Sequence, residues 1–148
     1  MLAFLLIVIL YALIGLLAAA GTILLTGKLL VPTTEQIFYA IFLIIIAALY
    51  LVFTAYFKVA TAWRLEAVAV VVFIAIAALG SRLPAALIAG YCLHGVWDLL
   101  HELQAHGAGS VFGAGHLTSI PLAYGFFCFV FDFCLAAYFY TRRANWIS

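Results

Sequence analysis

Residues 2–25 read LAFLLIVILYALIGLLAAAGTILL, without one Lys, Arg, Asp, Glu or His. A helix rises ~1.5 Å per residue and the hydrocarbon core of a bilayer is ~30 Å thick, so about 20 apolar residues make one crossing. This stretch is long enough, and its polar stop is Thr26-Gly27-Lys28. Four more runs of the same kind follow. After a short loop containing Pro32, Thr33 with Gln36 reads as a capping box that opens a second run over about 35–57, closed by Lys58. The third, about 62–80, carries Arg64 and Glu66 in its first turns and ends at Gly80-Ser81-Arg82. Pro84 suits the first turn of a fourth run, about 84–104. A glycine-rich loop from Gly107 to Gly115 then leads to a fifth, about 119–140, which stops at Arg142-Arg143. The expectation is an all-α, polytopic integral membrane bundle of about five transmembrane helices, forming one domain over residues 1–148.

Composition agrees. Hydrophobic residues make up 70% and charged residues 7% of the chain, whose mean hydropathy is +1.35. Soluble domains run near ~45–50% apolar and ~25% charged. Six Lys and Arg with five Asp and Glu cannot clothe a 16.1 kDa globule in water, which excludes a soluble fold. A net charge of +1 supplies no field for nucleic acid. The first run is read as a retained helix beginning at Met1. No basic residue precedes Lys28, and the run exceeds the ~7–15 residues of a signal-peptide core. With five crossings, Lys28, Arg82, Arg142 and Arg143 share one face against Lys58 and Arg64 on the other, so the C-terminus is expected to be cytoplasmic. Cys92, Cys128 and Cys134 lie inside the runs without metal or disulfide spacing and read as buried thiols.

Chemistry concentrates in the last two runs. An ionisable group at mid-membrane costs at least ~2.5 kcal/mol on insertion scales, so each needs a partner, a cavity or a function. At ~100° per residue, His94, Asp98 and His101 fall within about 60° of one another on the fourth run. Trp97 and Glu102 flank them. On the fifth, Tyr124, Cys128 and Asp132 are spaced by four among many phenylalanines, and consecutive helices can bring the two stripes together. His94, Asp98, His101 and Asp132 are therefore the candidate metal ligands, suited to zinc, iron or manganese. Glu102 is the candidate general acid or base. Zinc would activate water, whereas iron with two His and one carboxylate suits oxygen chemistry. The alternative is packing alone, since a His and an Asp can simply hydrogen-bond. Glu66 and Arg64 read as paired or snorkelling residues near a membrane boundary, and His106 and His116 as lining an entrance. The string from Gly107 to Gly113 imitates a dinucleotide loop, yet no strand precedes it.

The string His94-Gly95-Val96-Trp97-Asp98-Leu99-Leu100-His101-Glu102, with Pro121, Cys128 and Asp132 beyond it, resembles the signature of small bacterial integral membrane proteins of the DUF6010 type. The resemblance covers about a third of the chain. It supports treating His94, Asp98, His101 and Asp132 as one unit and implies no established activity; the location expected for the chain is the bacterial cytoplasmic membrane. Where that pattern often has a second His after the position of His101, this sequence has Glu102. A looser similarity of chemistry links the cluster to seven-span membrane hydrolases related to alkaline ceramidases, which hold zinc with three His and an Asp. This chain is two expected spans shorter.

Three functions follow as expectations. The first is a metal-dependent membrane enzyme, hydrolase or oxidase, acting on a lipid-like substrate. The second is an accessory subunit of a larger membrane complex, or a homo-oligomer. The third is a proton or ion pathway through the same four residues.

Overall fold

A computed structural model describes residues 2–107, 112–113 and 115–147; Gly109, Ser110 and Val111 of the glycine-rich loop lie outside the described residues. The fold is all-α, with no strand among the described residues. Its helices are α1 (Leu2–Leu29), α2 (Pro32–Tyr56), α3 (Trp63–Gly80), α4 (Pro84–Ala105) and α5 (Tyr124–Ile147). Four of them, α1, α2, α3 and α5, are long and apolar enough to cross a membrane, which makes this an integral membrane protein. At 22 residues α4 has the length, about 33 Å. Its lower apolarity comes from His94, Asp98, His101 and Glu102, all of them buried inside the bundle.

The ends of the helices differ from the sequence expectation for local reasons. Helix α1 continues through Gly27 and Lys28 to Leu29, since the Thr26 hydroxyl closes on the Thr22 carbonyl (3.0 Å) and the Leu30 N–H on the Thr26 carbonyl (2.9 Å). Pro32 starts α2, where its missing N–H costs nothing, and this moves the N-cap to Val31. No side-chain cap forms there, so Thr33 and Gln36 make no capping box. Gln36 instead donates to the Gly80 carbonyl at the end of α3 (2.7 Å). Helix α5 begins five residues later than expected. Pro121 disfavours helix before it, and Ala123 takes a left-handed φ of 57° before Tyr124 enters the helix.

Lipid is as apolar as leucine, so membrane helices associate by close packing rather than by excluding water. Glycine sets the closest approaches here. A Cβ at Gly125 would lie 2.5 Å from the Asp98 carbonyl oxygen, and one at Gly15 would lie 2.4 Å from that of Phe127. Helix α5 is thus drawn against α4 on one side and α1 on the other, and its most extensive contacts are with these two. Helix α3 packs against both α2 and α4. Tyr39, Leu43, Phe73, Leu87, Tyr91, Leu135 and Phe139 fill the centre. Helix α1 turns Leu6, Ile9, Leu10, Leu13 and Leu17 outward, where lipid covers them.

Candidate metal centre

Helix α4 buries Leu87, Tyr91, His94, Asp98 and His101 on one face, at steps of three and four residues. Helix α5 buries Cys128, Asp132, Leu135 and Phe139 in the same way. Because Gly125 and Gly95 carry no side chain, the two faces close on each other; a Cβ at Gly95 would sit 3.0 Å from the Phe133 ring and 3.3 Å from the Asp132 Cβ.

At this seam His94 Nδ1 lies 2.7 Å from Asp132 Oδ2 and 3.0 Å from Asp98 Oδ2. One ligand atom from each of the three residues lies within 4.8 Å of the others, and none of the three is more than 1% exposed. The Tyr50 hydroxyl, from α2, donates to Asp98 Oδ1. Three buried atoms of the group have no hydrogen-bond partner among the described residues: His94 Nε2, Asp98 Oδ2 and Asp132 Oδ1. Buried polar atoms are ordinarily satisfied, and an unsatisfied one costs about 1–3 kcal/mol.

A divalent cation fits this donor set. With both carboxylates ionised and the imidazole neutral, the set would carry a charge of −2, which a divalent ion would balance. Ligand atoms around a tetrahedral ion at ~2.0–2.1 Å stand ~3.3 Å apart. The observed 2.7 and 3.0 Å separations need widening by only a few tenths of an ångström. One nitrogen and two oxygens make a harder set than the two imidazoles and two carboxylates expected from sequence.

His101, the fourth residue of that expected set, is placed elsewhere. Its Nδ1–H donates to the Trp97 carbonyl (2.9 Å), and its Nε2 lies 2.8 Å from Glu66 Oε1. Both ring nitrogens are taken. The physical reason is axial: His101 shares the angular position of His94, but seven residues at ~1.5 Å separate them by about 10 Å along the helix. Tyr50 lies between the two groups, its hydroxyl on Asp98 and its ring 4.2 Å from the His101 ring.

Glu102 is buried, and both of its oxygens are engaged. Oε1 lies 2.8 Å from His106 Nε2, and Oε2 accepts the Gly125 N–H (2.8 Å). The carboxylate thereby satisfies a free N–H in the first turn of α5, at the positive end of that helix. Of the two loop histidines, His106 is partly exposed beside the Phe4 ring (4.7 Å), and His116 is exposed.

Two members of this network escaped the sequence reading. Glu66, expected at a membrane boundary, is fully buried and also accepts the Thr118 N–H (2.9 Å). It lies in the buried stripe of α3 with Val70, Phe73, Ala77 and Gly80, at steps of three and four residues. Tyr50 likewise continues the α2 stripe of Tyr39, Leu43 and Ala47. At the other end of the bundle a further buried carboxylate, Glu35, accepts from Tyr138 Oη (2.5 Å), Arg142 Nε (3.0 Å) and Trp146 Nε1 (3.0 Å).

Fold and site together define a helical membrane protein with a buried His/Asp group able to hold a metal ion. The chain belongs to a family of unknown function (DUF6010), whose sequence profile matches residues 10–145. No curated protein and no solved structure matches it.

Proposed function

We propose that the protein binds one divalent metal ion through His94, Asp98 and Asp132 and uses it on a lipid-like substrate. The observation that carries this reading is the convergence of one imidazole and two carboxylates in a dry interior that leaves His94 Nε2 and Asp132 Oδ1 without a hydrogen-bond partner among the described residues. Such an ion supplies Lewis acidity toward water or a carbonyl oxygen. With a single imidazole in the set, hydrolysis suits the site better than iron-dependent oxidation, which favours two. Zinc and manganese are the ions to test first.

The chain's own residues have distinct parts in this reading. Asp98 and Asp132 bring the negative charge, and Tyr50 holds Asp98 by one oxygen so that the other faces His94. The pair of His101 and Glu66 fixes α3 against α4 beside the site, and Glu102 fixes the start of α5. The decisive experiment is metal content per chain, by mass spectrometry, on protein purified gently without added metal. Near-stoichiometric zinc or manganese that is lost in both His94→Ala and Asp98→Ala, with the helices still inserted, is the expected result. Full occupancy in both variants would overturn the assignment.

One observation favours a second reading, a proton pathway. Tyr50 touches both polar groups and so connects Asp98 with His101 and Glu66. Proton flux into vesicles that disappears in Tyr50→Phe, from a protein that carries no metal, would establish this alternative in place of the first.

A further inference from the structure

Three histidines of the bundle touch buried carboxylates, and the number of hydrogens each contact requires is not the same. His94 meets Asp132 and Asp98 through Nδ1, and its Nε2 has no partner among the described residues. His106 meets Glu102 through Nε2 and is 33% exposed, so water can serve its other nitrogen. A neutral imidazole, with one N–H and one bare nitrogen, satisfies either arrangement. His101 is different. Its Nδ1 faces the Trp97 carbonyl at 2.9 Å, and a carbonyl only accepts, so Nδ1 carries a hydrogen. Its Nε2 lies 2.8 Å from Glu66 Oε1, an oxygen that also accepts the Thr118 N–H at 2.9 Å. In a neutral ring this Nε2 would be bare, and its lone pair would meet a carboxylate lone pair at hydrogen-bond distance with nothing between them. The contact needs one hydrogen ion more than a neutral imidazole and a carboxylate supply.

The surroundings suit that ion on the His101 side of the contact. The Tyr50 ring lies 4.2 Å from the His101 ring, 35° from parallel, and the Trp97 ring 5.3 Å from it. Aromatic rings within about 6 Å attract a cation. Glu66 stands in the first turn of α3, where the positive end of the helix favours a carboxylate, and the Thr118 N–H favours it further. The pair is neutral as a whole when it holds the ion and negative when it does not, and an uncompensated charge inside the bundle is the costlier state. The other ionisable groups around it are Tyr50 from α2, the exposed Arg64 two residues before Glu66, and Asp98 and Glu102 on α4, which are engaged with His94 and His106. None of these hydrogen-bonds to the pair among the described residues.

We infer that His101 and Glu66 form a proton-binding site, loaded with one hydrogen ion at rest, at the end of the bundle where α3 begins and α4 ends. It gives the proton-pathway reading above, on which its purpose rests, a place where a hydrogen ion is held. The holding itself needs neither flux nor metal. Loaded, the site joins α3, α4 and the segment before α5 through one oxygen, Glu66 Oε1.

The test uses the full chain in phosphatidylcholine nanodiscs at neutral pH, with nitrogen-15 in the rings of its four histidines. Nitrogen resonances distinguish a bare ring nitrogen from one that bears hydrogen. Carbonyl carbon-13 in tryptophan marks His101 through its 2.9 Å contact with Trp97, so the assignment needs no variant. Wild-type His101 is expected to bear hydrogen on both nitrogens. In Glu66→Gln the neutral amide cannot hold the ion, and His101 should lose one hydrogen while the His94 resonances and the metal content stay as they were. An infrared carbonyl band of a protonated carboxylic acid that disappears in Glu66→Gln would count the same ion on the oxygen side of the contact and support the site equally. A bare nitrogen on wild-type His101 without such a band would overturn the inference, and this result needs no folded variant. So would a His101 that keeps both hydrogens in a folded Glu66→Gln. A loaded pair in a protein that passes no protons into vesicles would sink the pathway reading alone, whereas proton flux through a protein whose pair is empty would sink this inference alone.

Discussion

Two buried carboxylate centres, one near each end of α5, show opposite states of satisfaction. Glu35 meets a phenol, a guanidinium and an indole, three donors that occupy both of its oxygens and include one full positive charge. Asp98 and Asp132 share one imidazole and one phenol, and Asp132 Oδ1 has no hydrogen-bond partner among the described residues. The carboxylates of both centres are equally buried. Burial of a charge therefore does not by itself mark a working site. What distinguishes them is the counter-charge: Glu35 has the Arg142 guanidinium, whereas Asp98 and Asp132 face one imidazole, His94, so the metal reading proposed above expects a cation at the seam and none at Glu35.

The sharpest way to break this contrast is to remove one negative charge at each centre with an isosteric amide. Glu35→Gln sets an amide NH2 among three donors and strands Arg142, and breaking a buried pair in this way costs about 3–5 kcal/mol, toward the lower figure here because Arg142 is 27% exposed. Asp132→Asn removes a charge that faces another carboxylate, so the metal-free protein should be at least as stable as wild type while metal content falls at least about tenfold, ~1.4 kcal/mol of affinity. Thermal unfolding in detergent, with metal analysis beside it, checks both. Equal destabilisation by the two variants would remove the distinction between them.

Next in size is the approach of α5 to α4. A methyl at Gly125 would meet the Asp98 carbonyl oxygen at 2.5 Å and the Glu102 Cβ at 2.6 Å, both on a helix that cannot yield locally. Gly125→Ala should therefore cost about 1–3 kcal/mol by overpacking and loosen the metal as well, since it pushes Asp132 away from His94. The same substitution at Gly21, where a Cβ would meet nothing within 4 Å, should be silent. Comparing metal retention in the two variants separates loss of seam geometry from a general effect on helices.

These contrasts also show which parts were legible in the sequence. Apolar runs and polar stops located the helices because membrane crossing is a matter of length and composition. The i, i+4 step from His94 to Asp98 and the stripe through Asp132 pointed to groups that the structure brings together. Helical periodicity gives angular position but not which groups meet at one depth, and His101, on the same face as His94, lies about 10 Å farther along the helix. Glu66 and Tyr50 were less visible because their partners lie 35 and 48 residues away in sequence, on other helices. Capping at α2 went unused because Pro32 fixed the helix start ahead of Thr33. The Glu35 centre needs the C-terminal turns of α5 to fold back beside the start of α2, a tertiary fact with no local signature.

The smallest expected effect lies between the two centres and tests whether ordinary buried hydrogen bonds in this bundle carry much energy at all. Thr26 Oγ1 and Tyr39 Oη lie 2.7 Å apart, linking α1 to α2, two helices that otherwise touch little. The Thr26 hydroxyl also has the Thr22 carbonyl within reach at 3.0 Å, so it keeps an acceptor inside its own helix whether or not α2 is there. Side-chain hydrogen bonds between membrane helices average about 0.6 kcal/mol because the separated helices find such partners too. Thr26→Val, which keeps the shape and removes the hydroxyl, should therefore lower stability by about 0.6 kcal/mol and leave metal content unchanged. A loss several times larger would mean that the α1–α2 contact depends on this one bond, and would place Thr26 with Glu35 among the pins of the structure. A loss near zero would leave Glu35 as the polar anchor at that end of the bundle and make its contrast with the incompletely satisfied Asp132 sharper.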